Sequence, residues 1–388
     1  MKQLNYISLF SGAGVGCYGF KEAGFECKAT NELLKKRIKF QKFNGICSED
    51  KSYIEGDITN QNIKDQIIKL AGNDLDVLIA TPPCQGMSVA NHKKNNEIKR
   101  NSLVTESINL IKIIQPNYFI LENVRSFLKT ICTDIEGDNL PIEDSINRHL
   151  ASNYHIHSEV LNLSNFGSNS SRTRTIVLGT KKELNYVSPL DIYPEEKQAL
   201  NLKELIGNLK PFEKMGDIDK TDIYHFFRNY DPVMRDWIKD LKEGQSAFEN
   251  KNKNFVPHRI INGKKIINKS VNADKYRRNF WHKVGPCIHT RNDILASQNT
   301  VHPKDDRVFS IREIMRMMSV PENFKWSEYS FSKLNSLKHE EKVHFLKTNE
   351  MNIRQSLGEA VPTRVFKSIA EKISQVEKNK RLKKWFKA

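Results

Sequence analysis

From residue 4 to about 180, short apolar runs alternate with amphipathic stretches. Leu4–Phe10, Glu26–Thr30, Leu75–Ala80 and Tyr118–Leu121 predict strands, while Val15–Ala23, Asn62–Leu70 and Leu103–Ile114 repeat their apolar residues at helical spacing. Strands alternating with helices predict an α/β fold: a doubly wound, mostly parallel sheet. Ligands of such sheets bind outside the carboxyl ends of the strands. Beyond Gly179 the periodicity fades, and residues 185–300 are rich in Asn, Lys and aromatic side chains. Later, Ser310-Ile-Arg-Glu313 has the form of a capping box opening a helix that Pro321 ends, and Pro362 to Val376 predicts a final helix. No internal repeat is visible.

A chain of 388 residues is too long for one small module and predicts two domains. The first is expected over 1–184, completed by a C-terminal helix at 350–388; the second spans 185–345. Charge sharpens this division. Lys plus Arg number 62 against 46 Asp plus Glu, a net charge of +16, so an acidic partner is expected and nucleic acid leads. Residues 251–285 hold ten Lys or Arg against the single acid Asp274. No apolar run approaches the roughly 20 residues that span a bilayer. The six cysteines show neither C-x-x-C pairs nor metal-ligand spacing, so no disulfide framework and no metal is expected, and a reducing cytoplasm fits.

Three segments carry candidate chemistry, each following a predicted strand. Phe10-Ser11-Gly12-Ala13-Gly14-Val-Gly16 opens the first helix, where small residues let backbone amides approach a ligand closely. Its G-x-G-x-G spacing departs from the dinucleotide fingerprint, and such a turn also forms with no ligand. Glu32 after the second strand suits ribose hydroxyls, and Asp57 suits an adenine amino group; either acid could equally be solvated surface. Thr81-Pro82-Pro-Cys84-Gln-Gly-Met-Ser88 stiffens the approach to one thiol with two prolines. A lone cysteine is most often a small buried hydrophobe, but a proline-fixed, Gly-flanked loop is poor core and a plausible platform for a nucleophile. Leu121-Glu122-Asn123-Val124 ends the next strand, where Glu122 is either a candidate acid sharing a crevice with Cys84 or a simple turn cap.

Together these segments resemble the DNA cytosine-5 methyltransferases. The match continues through Asn165-Phe-Gly-Ser-Asn-Ser-Ser-Arg172-Thr-Arg174, Arg307-Val-Phe-Ser-Ile-Arg312-Glu313-Ile-Met-Arg316 and Gly358-Glu-Ala-Val-Pro362, covering about residues 4–180 and 300–375. Four residues depart from the family pattern: Thr81 where Gly is commoner, Met87 in place of an aromatic, Ser170 for Gln and Glu359 for Asn.

The resemblance implies a Rossmann-like methyltransferase fold in which the first domain is catalytic and the second recognises the target. It implies S-adenosylmethionine as methyl donor, released as S-adenosylhomocysteine. The donor would lie across Phe10, Ser11, Gly12, Ala13, Gly14 and Gly16, with its ribose on Glu32, its adenine near Asp57 and Ile58, and Pro82 and Leu103 as packing surfaces. Cys84 would add to carbon 6 of a flipped-out cytosine, Glu122 would act at N3 and the exocyclic amine, Arg174 would hold the base oxygen and Arg172 the site geometry. Gln85–Ser102, with Lys93, Lys94, Lys99 and Arg100, would close over the base; the tail Lys378–Lys387 reads as a solvated helix end. The implied partner is double-stranded DNA, met by a monomer in the bacterial cytoplasm and nucleoid, with a cognate restriction endonuclease or none. A tRNA cytosine-5 methyltransferase and an inactive DNA-binding relative are the alternatives; the long recognition insert favours duplex DNA.

Overall fold

The computed structural model describes residues 3–83, 102–268 and 272–385, with side chains as far as Lys380. The chain divides into two compact units, one of Met1–Phe166, Thr173–Lys197 and Val361–Ala388, the other of Gly167–Arg172 and Gln198–Ala360.

The first unit holds the strands β1 (Asn5–Leu9), β2 (Glu26–Glu32), β3 (Tyr53–Glu55), β4 (Val77–Ala80), β5 (Tyr118–Val124), the small hairpin β6 (Ile131–Thr133) and β7 (Asn139–Pro141), then β8 (Tyr154–Asn162) and β9 (Thr173–Lys181). Between them run α1 (Val15–Glu22), α2 (Lys35–Phe43), α3 (Gln61–Ala71), α4 (Leu103–Ile114) and α5 (Ile142–Leu150). The main sheet has the order β3-β2-β1-β4-β5-β9-β8. β1 to β5 are parallel, and β9 runs antiparallel to both of its neighbours.

Alternation along the strands explains why both faces are covered. Tyr6, Val77, Ile79, Tyr118, Ile120, Ile176 and Leu178 point to one apolar layer, which includes Phe20 of α1 and Phe366 and Ile369 of the C-terminal helix. Ile7, Leu9, Leu78, Phe119, Leu121 and Val177 point to the other, which includes Ile67, Ile108 and Ile146 of α3, α4 and α5. A sheet buried on both faces is the usual state of parallel strands. The C-terminal helix comes close to α1 at Gly19, where an added Cβ would overlap the Thr363 carbonyl and sit 2.7 Å from the Lys367 nitrogen.

The second unit contains α6 (Leu202–Ile206), α7 (Pro232–Ile238), the hairpin β10 (His258–Ile261) and β11 (Lys264–Ile267), α8 (Ile311–Met317), α9 (Phe331–Asn335) and α10 (His339–Glu359). Most of it is irregular, so its backbone carbonyls lack the partners that a ladder provides. Buried arginines supply them. Arg278 donates to the carbonyls of Ile238, His302 and Lys304; Arg354 donates to those of Asn292 and Phe309. The capping box expected at Ser310 forms, with Ser310 N donating to Glu313 at 2.7 Å, and Glu313 also takes a bidentate pair from buried Arg307 at 2.8 Å on each side.

Two expectations need correction. The segment 350–388 is not one helix: α10 ends at Glu359 and the C-terminal helix α11 (Thr363–Trp385) starts after Pro362, which restricts the residue before it to extended backbone. The division of the chain accordingly falls at 197/198 and 360/361 rather than after 184 and before 350.

His302 gives the second unit a pH signature. It is fully buried, and its Nδ1 accepts backbone N–H bonds from Lys304 and Asp305, at 3.2 and 2.9 Å. Burial, with Arg307 beside it, lowers its pKa from the usual 6.5 to about 3. Because the folded value lies below the unfolded one, the stability it contributes is complete above about pH 6.5 and is lost as pH falls toward 3. Urea midpoints of the wild type should therefore drop more steeply between pH 6.5 and 4 than those of His302→Asn. Parallel slopes would contradict this account.

Candidate active site

In the order β3-β2-β1-β4-β5 the chain reverses direction across the sheet between β1 and β4, and the carboxyl ends of these two strands open the crevice where such sheets bind ligands. Here the ladders end and side chains take over the backbone groups. Ser11 donates N–H and Oγ–H to the Asn31 carbonyl, both at 3.0 Å. Asn31 donates to the Gly56 carbonyl at 3.1 Å, tying the end of β2 to the turn after β3. Thr81 Oγ1 donates to the Phe10 carbonyl at 2.9 Å, tying β4 to β1. That bond accounts for Thr81 where Gly is commoner: the hydroxyl takes a carbonyl with no ladder partner.

The first turn is bent by alternating left-handed residues, Phe10 (φ 53), Gly12 (φ 55) and Gly14 (φ 79). Left-handed geometry is unusual for a bulky residue and collects at functional sites. At Gly14 a Cβ would also press within 3.0 Å of Gln41. Gln41, buried on α2, donates to Ser11 Oγ at 2.8 Å and to the Gly12 carbonyl at 2.7 Å. Glu32 accepts from Gly12 N at 2.9 Å and from Leu34 N at 3.0 Å. The acid at the end of β2 is thereby held against the glycine turn, and Leu33 beside it is 61% exposed.

Asp57 is exposed, with Oδ1 capping Thr59 at 2.9 Å. Ile58 is core, 2% exposed, so its side chain presents no ligand surface. Ala13 is likewise buried, and Gly16 packs against Phe366, where a Cβ would come within 2.9 Å of the ring. Phe10, Ser11, Gly12, Glu32 and Asp57 thus gather at the open edge, while Ala13, Gly16 and Ile58 support it from within. Pro82 is buried and Leu103 is half-buried at the first turn of α4.

Farther along the edge, Glu122 and Asn123 sit near the end of β5. In the β5–β9 register Val124 faces Arg174 and Glu122 faces Ile176, making Glu122 and Arg174 a diagonal pair. Arg174 Nε lies 3.1 Å from Glu122 Oε1, with the two side chains 14% and 7% exposed. Arg174 also donates to the Thr173 carbonyl at 2.7 Å. A mostly buried carboxylate needs such a partner. Asn123 Nδ2 donates to the Pro82 carbonyl at 2.9 Å, fixing the chain two residues before position 84. Cys84 itself, with Met87 and nearly all of the Gln85–Ser102 segment, lies outside the described residues.

Arg172 belongs to the second unit. It is buried and donates to the carbonyls of Ile288 and Gly358, both at 3.0 Å, and more distantly to that of Glu359. It holds backbone. At the departure Ser170, the hydroxyl donates to the Pro286 carbonyl at 2.8 Å. Gln41 and Asn123 are the residues that sequence reasoning misses. Asn123 has a signal in its place beside Glu122; Gln41 has none, lying in the highly charged stretch Lys35-Lys-Arg-Ile-Lys-Phe-Gln41.

A glycine turn backed by an acid and a carboxylate–guanidinium pair lie on the same edge of a Rossmann-like sheet. Similarity to known proteins narrows the class. The family model described as C-5 cytosine-specific DNA methylase matches residues 4–375. Type II methyltransferase M1.HgaI of Avibacterium volantium is 32% identical over 389 residues, spanning 96% of this chain and 98% of that protein. Type II methyltransferase M1.HphI of Haemophilus parahaemolyticus is 23% identical, spanning 97% and 88%. Among solved structures, S. pombe Dnmt2 methyltransferase superposes with a TM-score of 0.59 at 14% identity, covering 98% of this chain and 100% of that one. Entamoeba histolytica methyltransferase EhMeth gives 0.57 at 15%, covering 97% and 99%. These structures share the fold.

The chain belongs to the C-5 cytosine-specific DNA methylase family. Its enzyme class is DNA (cytosine-5-)-methyltransferase, and the methyl donor that family and fold imply is S-adenosylmethionine.

Asn123→Ala removes the anchor of the Pro82 carbonyl, and losing a buried partner costs roughly 1–3 kcal/mol, about 5- to 150-fold in rate. The expected result is a kcat lowered within that range, with S-adenosylhomocysteine affinity by calorimetry unchanged. Equal losses in both would show that Asn123 supports the fold alone.

Proposed function

We propose that this protein methylates carbon 5 of a cytosine flipped out of a specific duplex DNA sequence, through a covalent bond between Cys84 and carbon 6. The observation that carries this reading is the Glu122–Arg174 pair on the same sheet edge as the anchored approach to Cys84. Burial pushes the Cys17 thiol up to about 12 and raises those of Cys27 and Cys132, which leaves them as packing groups.

S-adenosylmethionine supplies an electrophilic methyl group. The residues present fit it: the Glu32 carboxylate, which the amides of Gly12 and Leu34 hold against the glycine turn, is the group that would meet a ribose diol. Exposed Leu33 offers an apolar surface for the adenine, Asp57 Oδ2 an acceptor for its amino group, and an added Cβ on Gly12 would meet nothing within 4 Å, which leaves room above the turn.

Carbon 5 of cytosine is a weak nucleophile until the ring is activated. The Cys84 thiolate adds to carbon 6 while Glu122 protonates or hydrogen-bonds N3, draining the charge that addition places on the ring. Arg174 steadies Glu122 and offers its remaining N–H groups to the base oxygen. Carbon 5 then takes the methyl group, its proton passes to water, and elimination returns the Cys84 thiolate. Attack is perpendicular to the ring face, so the base must leave the stack. Arg172 acts as a positioning residue through the carbonyls it holds. The basic second unit reads the target as the recognition domain. The relatives M1.HgaI and M1.HphI, both Type II methyltransferases, support a restriction–modification role; in that role the protein would act as a monomer in a bacterial cytoplasm beside a cognate endonuclease.

Bisulfite sequencing of DNA from cells expressing the protein should reveal one methylated cytosine context. Labelled-methyl transfer should be confined to DNA duplexes over RNA duplexes and fall to background in Cys84→Ser. Equal incorporation by wild type and Cys84→Ser would end the covalent mechanism.

A further inference from the structure

The hairpin β10–β11 is the exposed feature that neither folding nor the methyl-transfer chemistry accounts for. Its strands pair antiparallel, His258 with Ile267, Arg259 with Ile266, Ile260 with Lys265 and Ile261 with Lys264. The two-residue turn Asn262-Gly263 takes positive φ at both positions (49 and 70), the tight turn that matches strand twist. Its root is built in: His258 packs on Trp237 with ring centroids 5.3 Å apart, and Asn268 N bonds the Pro257 carbonyl. Beyond His258, every residue of both strands is exposed.

A two-stranded ribbon normally buries one face, because an isolated hairpin is marginal in water. This one buries neither. By the pairing, one face carries Arg259, Ile261, Lys264 and Ile266, the other His258, Ile260, Lys265 and Ile267. Each face thus mixes isoleucines with cations, and Ile260 is 72% exposed. No acid occurs between Glu249 and Asp274, so a negatively charged partner meets no repulsion within this stretch.

We infer that this hairpin is the groove-reading element of the second unit, a β-ribbon that enters the major groove of duplex DNA. Its occupant follows from size and charge. Strands about 4.8 Å apart, with side chains on both faces, match a groove about 12 Å wide that admits a two-stranded ribbon. A ribbon inserted edge-on between the walls needs both faces exposed. Arg259, Lys264 and Lys265 then meet phosphates or guanine edges, and the isoleucines meet the apolar C5 edges of pyrimidines. This inference rests on the proposed action on duplex DNA.

The test uses the full chain and a library of duplexes randomised around the methylated cytosine. Ile260→Ala and Arg259→Ala, both on exposed surface, should lose preference for one base pair by about 5- to 150-fold while S-adenosylhomocysteine binds as before. In Lys264→Ala/Lys265→Ala the slope of log K against log salt should shrink by roughly 0.9 for each phosphate that the lysines no longer neutralise. Unchanged sequence preference and salt slope in all three variants would overturn the inference. So would a change confined to self-association on sedimentation, which would assign the hairpin to a second copy of the chain. A wild-type chain that methylates no duplex would instead overturn the proposed function.

Discussion

Five parallel strands end together on one side of the sheet, and at that edge each last carbonyl and amide loses its ladder partner. A buried backbone group without a partner costs about as much as a lost hydrogen bond, so side chains must complete the edge. Ser11, Asn31, Gln41, Thr81 and Asn123 do so, and each bond crosses from one segment to another. The polar stitching that closes the fold is therefore what sets the spacing of the glycine turn, the acid at the end of β2 and the approach to residue 84. The Glu122–Arg174 pair belongs to the same edge, since β9 is the strand that carries the guanidinium alongside β5.

The second unit meets the same requirement differently. With few strands to pair its backbone, it uses arginines whose five donors reach several carbonyls at once. Arg278 and Arg354 do this deep inside the unit, and Arg172 does it for the carbonyls of Ile288 and Gly358. Such a unit can change its surface loops without losing its frame.

How much can be read from residue order follows from these two solutions. The short apolar runs of β1, β4 and β5 and the turn chemistry around Gly12 are local signals, and they locate the sheet and its carboxyl edge. The capping box at Ser310 is equally legible, because cap and partner lie three residues apart. β8 carries little local signal, since this antiparallel strand at the sheet end holds polar residues such as His155, His157 and Glu159. α2 escapes because Lys35-Lys-Arg-Ile-Lys-Phe shows little apolar periodicity, and Gln41 escapes with it. The bonds from Asn123 to Pro82 and from Arg174 to Glu122 span 41 and 52 residues, a separation that no local pattern reports.

The most direct test of the account is to offer the full chain a target duplex with 5-fluorocytosine at the methylated position, together with S-adenosylmethionine. Fluorine cannot leave as the proton does, so a bond from sulfur to carbon 6 would be trapped after methyl transfer. Peptide mass spectrometry should then find the modified base attached at Cys84. Methylation of ordinary duplexes without any adduct at Cys84 on the fluorinated one would contradict the account.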